Sequence, residues 1–161
     1  MKDSMRAFAL GIALAMIFPL SWSAESKDPV IGTWDLNLQK SKFVPGPPPK
    51  TQTRTYVAEA DGVKLSVDGM NAKGEPVQFE YTAGYDGKDY PVTGAPMFDS
   101  ILLKRADDGT VNSTAKKGGK VVSTSTRAVS KDGKELRVTT KGTNENGETY
   151  TNVMVFDKRA M

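Results

Sequence analysis

The chain has 161 residues, and its 22 Lys and Arg against 19 Asp and Glu give a formal net charge of only +3. This length suffices for one domain with a substantial core, but not comfortably for two. The small basic excess argues against nucleic acid as a partner. Neither cysteine nor histidine occurs. Their absence excludes disulfides, thiol nucleophiles, cysteine metal sites and the commonest general base near neutral pH.

The N-terminal residues have the pattern of a secretory signal peptide. Basic residues precede an apolar run over residues 7–20, and small residues follow it. The run is shorter than the ~20 residues that span a bilayer, which favours a cleaved signal over a retained membrane anchor. We predict a signal peptide over residues 1–23, cleaved after Ser23 or Ala24, and a single domain over residues 24–161. We expect a bacterial cell to export the mature product, either into the periplasm or into the extracellular medium, without a stable membrane anchor.

The first predicted strand follows a short polar lead-in. One face of this strand carries Gly32, Trp34, Leu36 and Leu38, and the other carries polar residues, which is the period of a half-buried strand. Prolines interrupt the pattern within residues 43–50, since proline cannot donate ladder hydrogen bonds and prefers extended polyproline geometry. The simplest interpretation is a stiff crossover loop, and the alternatives are a lid or a peptide-docking segment.

Turn signals recur through the remaining sequence. Asp-Gly, Asn-Gly and related pairs tolerate the positive φ angles of tight hairpins. The β-rich runs between them predict nine further strands, at residues 51–59, 63–70, 75–84, 88–92, 98–105, 110–116, 120–130, 134–142 and 148–158. We predict an all-β fold, an antiparallel up-and-down meander closed into a barrel of about 8–10 strands, with a sandwich as the alternative. Closure is attractive because it removes exposed sheet edges.

Both ends of this meander resemble a known family. The Gly-Thr-Trp of residues 32–34 resembles the Gly-x-Trp opening of the calycins, the lipocalins and fatty-acid-binding proteins. Residues 153–159 resemble the closing strand of the fatty-acid-binding branch, and the whole is similar to small exported bacterial lipocalin-like proteins. In calycins a basic residue of the last strand packs across the tryptophan at the closed end. The resemblance therefore implies a structural barrel plug of Gly32, Trp34 and Lys158, with Arg159 as the second choice of cation.

Two departures limit what the resemblance implies. Fatty-acid-binding proteins place a pair of helices after the first strand, where this chain has its Pro-rich segment. They also use Arg-x-Tyr on the last strand to hold a carboxylate. The matching positions here are Met154 and Phe156, which cannot pair with a carboxylate. We therefore do not expect this protein to bind fatty acids in the Arg-x-Tyr mode.

A ligand cavity in such a barrel would be lined by inward aromatic residues and a few polar groups. Alternation within the strands places several large side chains inward, and these are the candidate ligand-binding residues: Tyr56, Phe79, Tyr81, Tyr90, Met154 and Phe156. An eight-stranded barrel can be filled by its own side chains, whereas ten strands leave more room. A filled interior and a pocket are therefore equal alternatives.

Three arginines, Arg54, Arg127 and Arg137, fall within predicted strands. An inward arginine would be costly unless it is paired, so it would mark an anion site. A solvated outer face is favoured for all three, because arginine is rarely fully buried. Arg127 is nevertheless added to the candidate ligand-binding residues, since Ser123 and Ser125 share its face.

No spacing nominates catalytic chemistry. The basic tip at residues 116–120 lacks the spacing of a phosphate-binding loop, and the turn carboxylates lack the spacing of an EF-hand. We expect no catalytic residue, no metal, no cofactor and no enzyme activity. The favoured hypothesis is an exported barrel that binds a small hydrophobic or amphipathic ligand. The alternative is a filled structural or interaction barrel of the cell envelope that acts through its surface or its Pro-rich loop. The pattern indicates neither an oligomeric state nor a particular ligand.

Overall fold

The computed structural model describes residues 28–160, so the predicted signal peptide over residues 1–23 lies outside the described residues. Eleven strands follow one another along the described chain: β1 (Gly32–Leu36), β2 (Lys42–Val44), β3 (Thr51–Glu59), β4 (Gly62–Met70), β5 (Pro76–Gly84), β6 (Asp86–Thr93), β7 (Ser100–Arg105), β8 (Thr110–Lys117), β9 (Lys120–Val129), β10 (Glu135–Thr143) and β11 (Thr149–Lys158). A 3₁₀ turn, Leu38–Lys40, separates β1 from β2. Within residues 28–160, no helix has the length and apolar character needed to cross a membrane.

The sheet closes on itself. From β3 to β11 each strand pairs with the next in antiparallel fashion, and β1 pairs with both β3 and β11. Trp34 stands opposite Arg54 on one side and Lys158 on the other. The predicted antiparallel up-and-down barrel is confirmed, with ten strands in the closed ring and β2 as an extra strand beside β11. The pairing of the first and last strands is what the sequence resemblance implies.

The first strand is shorter than its alternation predicts. The alternation predicts Leu38 on the face of Trp34, but Leu38 lies in the 3₁₀ turn with 43% of its surface exposed. Asn37 ends the strand because its side-chain Oδ1 accepts a hydrogen bond from the Lys40 N–H at 3.2 Å and so favours a turn over the ladder. The chain then rejoins the sheet as β2, where Phe43 pairs with Asn152. A strand therefore lies partly inside the segment predicted as a crossover loop.

The barrel has two different ends. The hairpins at residues 71–75, 94–99, 118–119 and 144–148 lie at one end with the Pro-rich loop, and we call this the open end. At the opposite, closed end, Val30 and Trp34 are fully buried, and the Trp34 indole donates a hydrogen bond to the Val30 carbonyl at 2.7 Å. The two fill the interior there.

Lys158 packs across Trp34 at this closed end, with its Nζ 5.0 Å from the ring centroid. Arg159 instead pairs with Asp35: its Nη2 donates to Asp35 Oδ1 at 2.6 Å, and its Nε donates to Asp35 Oδ2 at 2.8 Å. Gly32 allows the stacked lysine to approach, because a Cβ at this position would lie 3.0 Å from the Lys158 Cε. Its φ of +133° also favours glycine. Gly32, Trp34 and Lys158 thus form one contiguous group.

Candidate ligand cavity

A cavity of about 330 Å³ opens inside the barrel, between the closed end and the Pro-rich loop. Inward alternation of the strands supplies an apolar wall that includes Leu65, Phe79, Ile101, Leu103, Val111 and Met154. Hydroxyl and amide groups from β8 to β11 are interspersed with it: Ser113, Ser123, Ser125, Thr140 and Asn152. Such a wall offers apolar contact together with a few polar contacts. Within residues 28–160, no cluster of three or more acidic, His or Cys side chains could hold a metal ion.

The Pro-rich segment forms part of the cavity mouth. Pro47 and Pro49 border the cavity together with Phe43 of β2. On the other side, Met97 and Phe98 border it from the loop between β6 and β7. The rings of Phe79 and Phe98 meet edge to face, with centroids 5.4 Å apart. The segment therefore borders the cavity as well as connecting β2 to β3.

Arg127 of β9 is buried in the cavity wall, with 7% of its surface exposed. Its Nη2 donates to the Tyr85 hydroxyl at 2.9 Å, and its Cζ lies 5.1 Å from the ring centroid of Tyr56. The Nε has no hydrogen-bond partner among the described residues. Burial by itself lowers the pKa of Arg127, but the neighbouring tyrosine groups outweigh burial and raise the pKa overall. The guanidinium is therefore charged at neutral pH.

Arg54 of β3 also lines the cavity, and its contacts are neutral groups. The Arg54 Nε donates to Gln52 Oε1 at 3.0 Å, and its Nη1 lies 3.5 Å from the Tyr56 hydroxyl. Its Cζ lies 4.9 Å from the centroid of the Phe156 ring. Tyr56 is thus in contact with both guanidinium groups.

The preference for solvated arginines is therefore wrong for two of the three strand arginines. Arg54 and Arg127 are inward, because aromatic faces and tyrosine hydroxyls there replace part of the water they lose. Arg137 is exposed on β10 and lies 3.5 Å from Glu135. For Arg137 the expected outer position holds.

Asp28 is a site residue that the sequence pattern does not reveal, because it lies in the short polar lead-in before β1. Its Oδ2 accepts from the Tyr85 hydroxyl and from Arg105 Nη2 at 2.9 Å, and lies 4.0 Å from Arg127 Nη2. Its Oδ1 accepts from the Val30 N–H at 3.1 Å. Burial alone would raise the pKa of Asp28, but these hydrogen bonds and the arginine charges outweigh it and hold the pKa below its ordinary value. Asp28 is therefore ionised and partly compensates the buried charge of Arg127.

The predicted ligand-binding residues are distributed between the cavity and its surroundings. Five of them line it: Tyr56, Phe79, Tyr81, Arg127 and Met154. Phe156 is fully buried and packs against Arg54 instead. Tyr90 lies at the edge of the core, and its hydroxyl donates to Asp86 Oδ2 at 2.8 Å. The prediction that these last two line the cavity is wrong. For Tyr90 the reason is local, because β6 begins with a register shift between Asp86 and Asp89.

Burial affects the ionisation of two tyrosines, Tyr81 in the cavity wall and Tyr85 beside Arg127. Burial, and secondarily the nearby Tyr56, raise the pKa of the Tyr81 hydroxyl. Burial also raises the pKa of Tyr85. Both hydroxyls therefore remain protonated at neutral pH and can donate hydrogen bonds.

Comparison with known proteins shows a likeness at the level of structure. No protein-family model matches the chain, and no curated protein matches it. Among solved structures, the chain is similar to the zebrafish ileal bile acid-binding protein. That protein was crystallised in complex with cholic acid, and the two share 14% sequence identity with a TM-score of 0.49. The alignment covers 81% of this chain and 99% of that chain.

Proposed function

We propose that this protein is a non-catalytic binding protein that holds one small, largely apolar molecule inside its barrel. The observation that carries the proposal is the cavity of about 330 Å³ with a predominantly apolar wall. Ligand pockets span roughly 300–1,000 Å³ and combine apolar walls with a small number of placed polar groups. A volume at the lower end of this range favours a compact ligand.

The same cavity weighs against the alternative of a filled structural barrel. Side chains that filled the interior completely would leave no such volume. The Pro-rich loop supports the same choice, because Pro47 and Pro49 border the cavity mouth. From the pattern of residues 1–23 we also propose that the protein works after export from the cytoplasm.

Binding of the neutral fluorophore N-phenyl-1-naphthylamine tests the proposal. The probe should bind the purified protein with a rise in fluorescence, because it would leave water for the apolar wall. Ala115→Phe, a cavity-wall substitution in β8, should weaken this binding by roughly tenfold or more, since the ring occupies ligand space.

Ala58→Phe is the matched control, because Ala58 is exposed on β3, and its affinity should equal that of the wild type. Ser113→Phe, two residues from Ala115 on the same cavity wall, repeats the test if Ala115→Phe does not fold, as circular dichroism would reveal. Absence of probe binding by the wild type, or full binding by a folded wall variant, would contradict the proposal.

A further inference from the structure

Arg127 has a buried donor that the described residues leave unused. Its Nε lacks a hydrogen-bond partner among them, although Arg127 is nearly fully buried in the cavity wall. Buried donors are almost always paired with protein, water or a ligand. Because Arg127 as a whole also lines the cavity, an acceptor bound there would supply the partner that this guanidinium lacks.

Arg54 provides a second positive charge on the same cavity. Its hydrogen-bond partners, Gln52 and Tyr56, are both neutral. None of the described residues that line the cavity is acidic. Two guanidinium groups that both contact Tyr56 carry like charges and repel each other, and an anion between them would relieve this repulsion.

Asp28 compensates only part of this charge, and it does so from outside the cavity wall. Its Oδ2 lies 2.9 Å from the Nη2 of Arg105 and 4.0 Å from the Nη2 of Arg127, so the two arginines share one carboxylate. Two arginines against one carboxylate leave one positive charge in excess, and Arg54 adds a second. The net charge around the cavity therefore favours an anionic ligand group.

We propose that Arg127, Arg54 and Tyr56 form a subsite for the oxyanion head group, a carboxylate or a sulfonate, of an amphipathic ligand. This inference rests on the proposed ligand-binding function. Guanidinium groups match the planar, multiply accepting geometry of such oxyanions. The subsite belongs to β3 and β9, and it is therefore distinct from an Arg-x-Tyr arrangement on the last strand, where this chain has Met154 and Phe156. The apolar part of the ligand lies against the wall toward the open end.

A pair of matched fluorophores tests the subsite. The anionic probe 1-anilinonaphthalene-8-sulfonate has the same ring system as N-phenyl-1-naphthylamine and differs by its sulfonate. Arg127→Gln should weaken binding of the anionic probe by about tenfold or more while the neutral probe changes by less than about threefold. Arg54→Gln should act in the same direction. Arg137→Gln, which removes an exposed strand arginine, is the control and should change neither affinity.

Asp28→Asn should have the opposite effect and tighten binding of the anionic probe, because it removes the internal anion that competes for Arg127. This variant keeps the test informative if Arg127→Gln does not fold. Competition by decanoate and by decanesulfonate identifies the preferred head group.

The possible failures are distinguishable. Failure of the neutral probe to bind the wild type would contradict the proposed function itself. Neutral-probe binding with an anionic-probe affinity that none of the arginine or Asp28 variants alters would overturn only the anion subsite. Equal displacement by decanol and by the two anions would overturn it as well.

Discussion

A buried guanidinium is costly, and the surroundings of Arg127 explain how the fold tolerates it. Removing an ion from water is repaid only by charge partners and hydrogen bonds. Here the ring of Tyr56 lies 5.1 Å from the Arg127 Cζ, the Tyr85 hydroxyl accepts a hydrogen bond, and Asp28 stands behind Tyr85. The charge is therefore supported from the closed end, on the side of Tyr85 and Asp28. At the scale of single residues, Asp28 is the group that most directly determines how much positive charge a ligand would meet.

Acid sensitivity tests the role assigned to Asp28. Its pKa in the folded protein lies below the ordinary value of 3.8, so the unfolded chain binds more protons in this range. The stabilisation by Asp28 is then fully present above pH 3.8 and is lost as the pH falls through its folded pKa. Asp28→Asn should lower the free energy of unfolding at pH 7 by about 1–3 kcal/mol. It should also reduce the further loss of stability on acidification below pH 3.8.

Urea unfolding between pH 7 and pH 2.5 measures both effects. Some acid sensitivity should remain in Asp28→Asn, because hydrogen bonds also hold the pKa of Asp35 and Asp157 below the ordinary value. Asp61→Asn, at an exposed hairpin tip of the closed end, is the matched control and should leave stability at pH 7 within about 0.5 kcal/mol of the wild type. An Asp28→Asn protein as stable as the wild type at pH 7 would contradict the assigned role.

At the scale of elements, the break between β1 and β2 depends on Ser41. The two strands pair with successive parts of β11, and the chain between them leaves the sheet. The Asn37 N–H donates to the Val155 carbonyl at 2.8 Å, and the Val155 N–H donates to Ser41 Oγ at 2.9 Å. A side-chain hydroxyl therefore replaces a backbone acceptor in the ladder. Because Val155 is fully buried, water cannot take the place of this hydroxyl without a change of packing.

Ser41→Ala should therefore lower the free energy of unfolding by about 1–3 kcal/mol, the cost of a buried donor without a partner. Urea unfolding at neutral pH measures the change. Ser41→Thr keeps a hydroxyl and should recover most of the loss, whereas Ser66→Ala on the outward face of β4 should have little effect. Equal stability of Ser41→Ala and the wild type would show that the ladder does not need this hydroxyl.

The elements were predictable where turn chemistry and alternation act locally. The bounds of β3 agree with the predicted residues 51–59, because Asp61-Gly62 terminates it with a tight turn. The three-residue β2 was missed, since its pairing with β11 is a tertiary contact more than 100 residues away in sequence. The alternation that placed Tyr56 inward also places Arg54 inward. The general preference of arginine for solvent points the other way, and the aromatic face that accepts Arg54, that of Phe156, belongs to the distant β11.

Asp28 could not be identified as part of the site from sequence, for a related reason. Its partners, Tyr85, Arg105 and Arg127, lie on or beside three different strands far along the chain. Only closure of the barrel brings them together beneath the cavity. Local pattern can place a residue on a face, but it does not indicate which distant charges will meet there.

At the scale of the whole molecule, the two ends of the barrel differ in what they expose. Trp34 and Val30 fill the closed end with fully buried side chains. Six large hydrophobic side chains are exposed among the described residues, and four of them lie toward the open end: Val44, Met70, Met97 and Val121. Val57 lies on β3 toward the closed end, and Leu38 lies in the 3₁₀ turn. Of the four toward the open end, Met97 also borders the cavity. The arrangement predicts that a ligand enters and leaves at the open end, between the Pro-rich loop and the loop that carries Met97.

The absence of cysteine makes this polarity testable by single-site labelling. In Met97→Cys, saturating N-phenyl-1-naphthylamine should slow the reaction of the thiol with a maleimide by roughly threefold or more, because a bound ligand is mostly enclosed by the residues around it. Asp108→Cys introduces an exposed thiol at the closed end, and its labelling rate should not change with the probe. Protection at position 108 without protection at position 97 would place the entrance at the closed end and contradict the prediction. The fully buried Val30 and Trp34 argue against that outcome, because a ligand could pass them only if the closed end came apart.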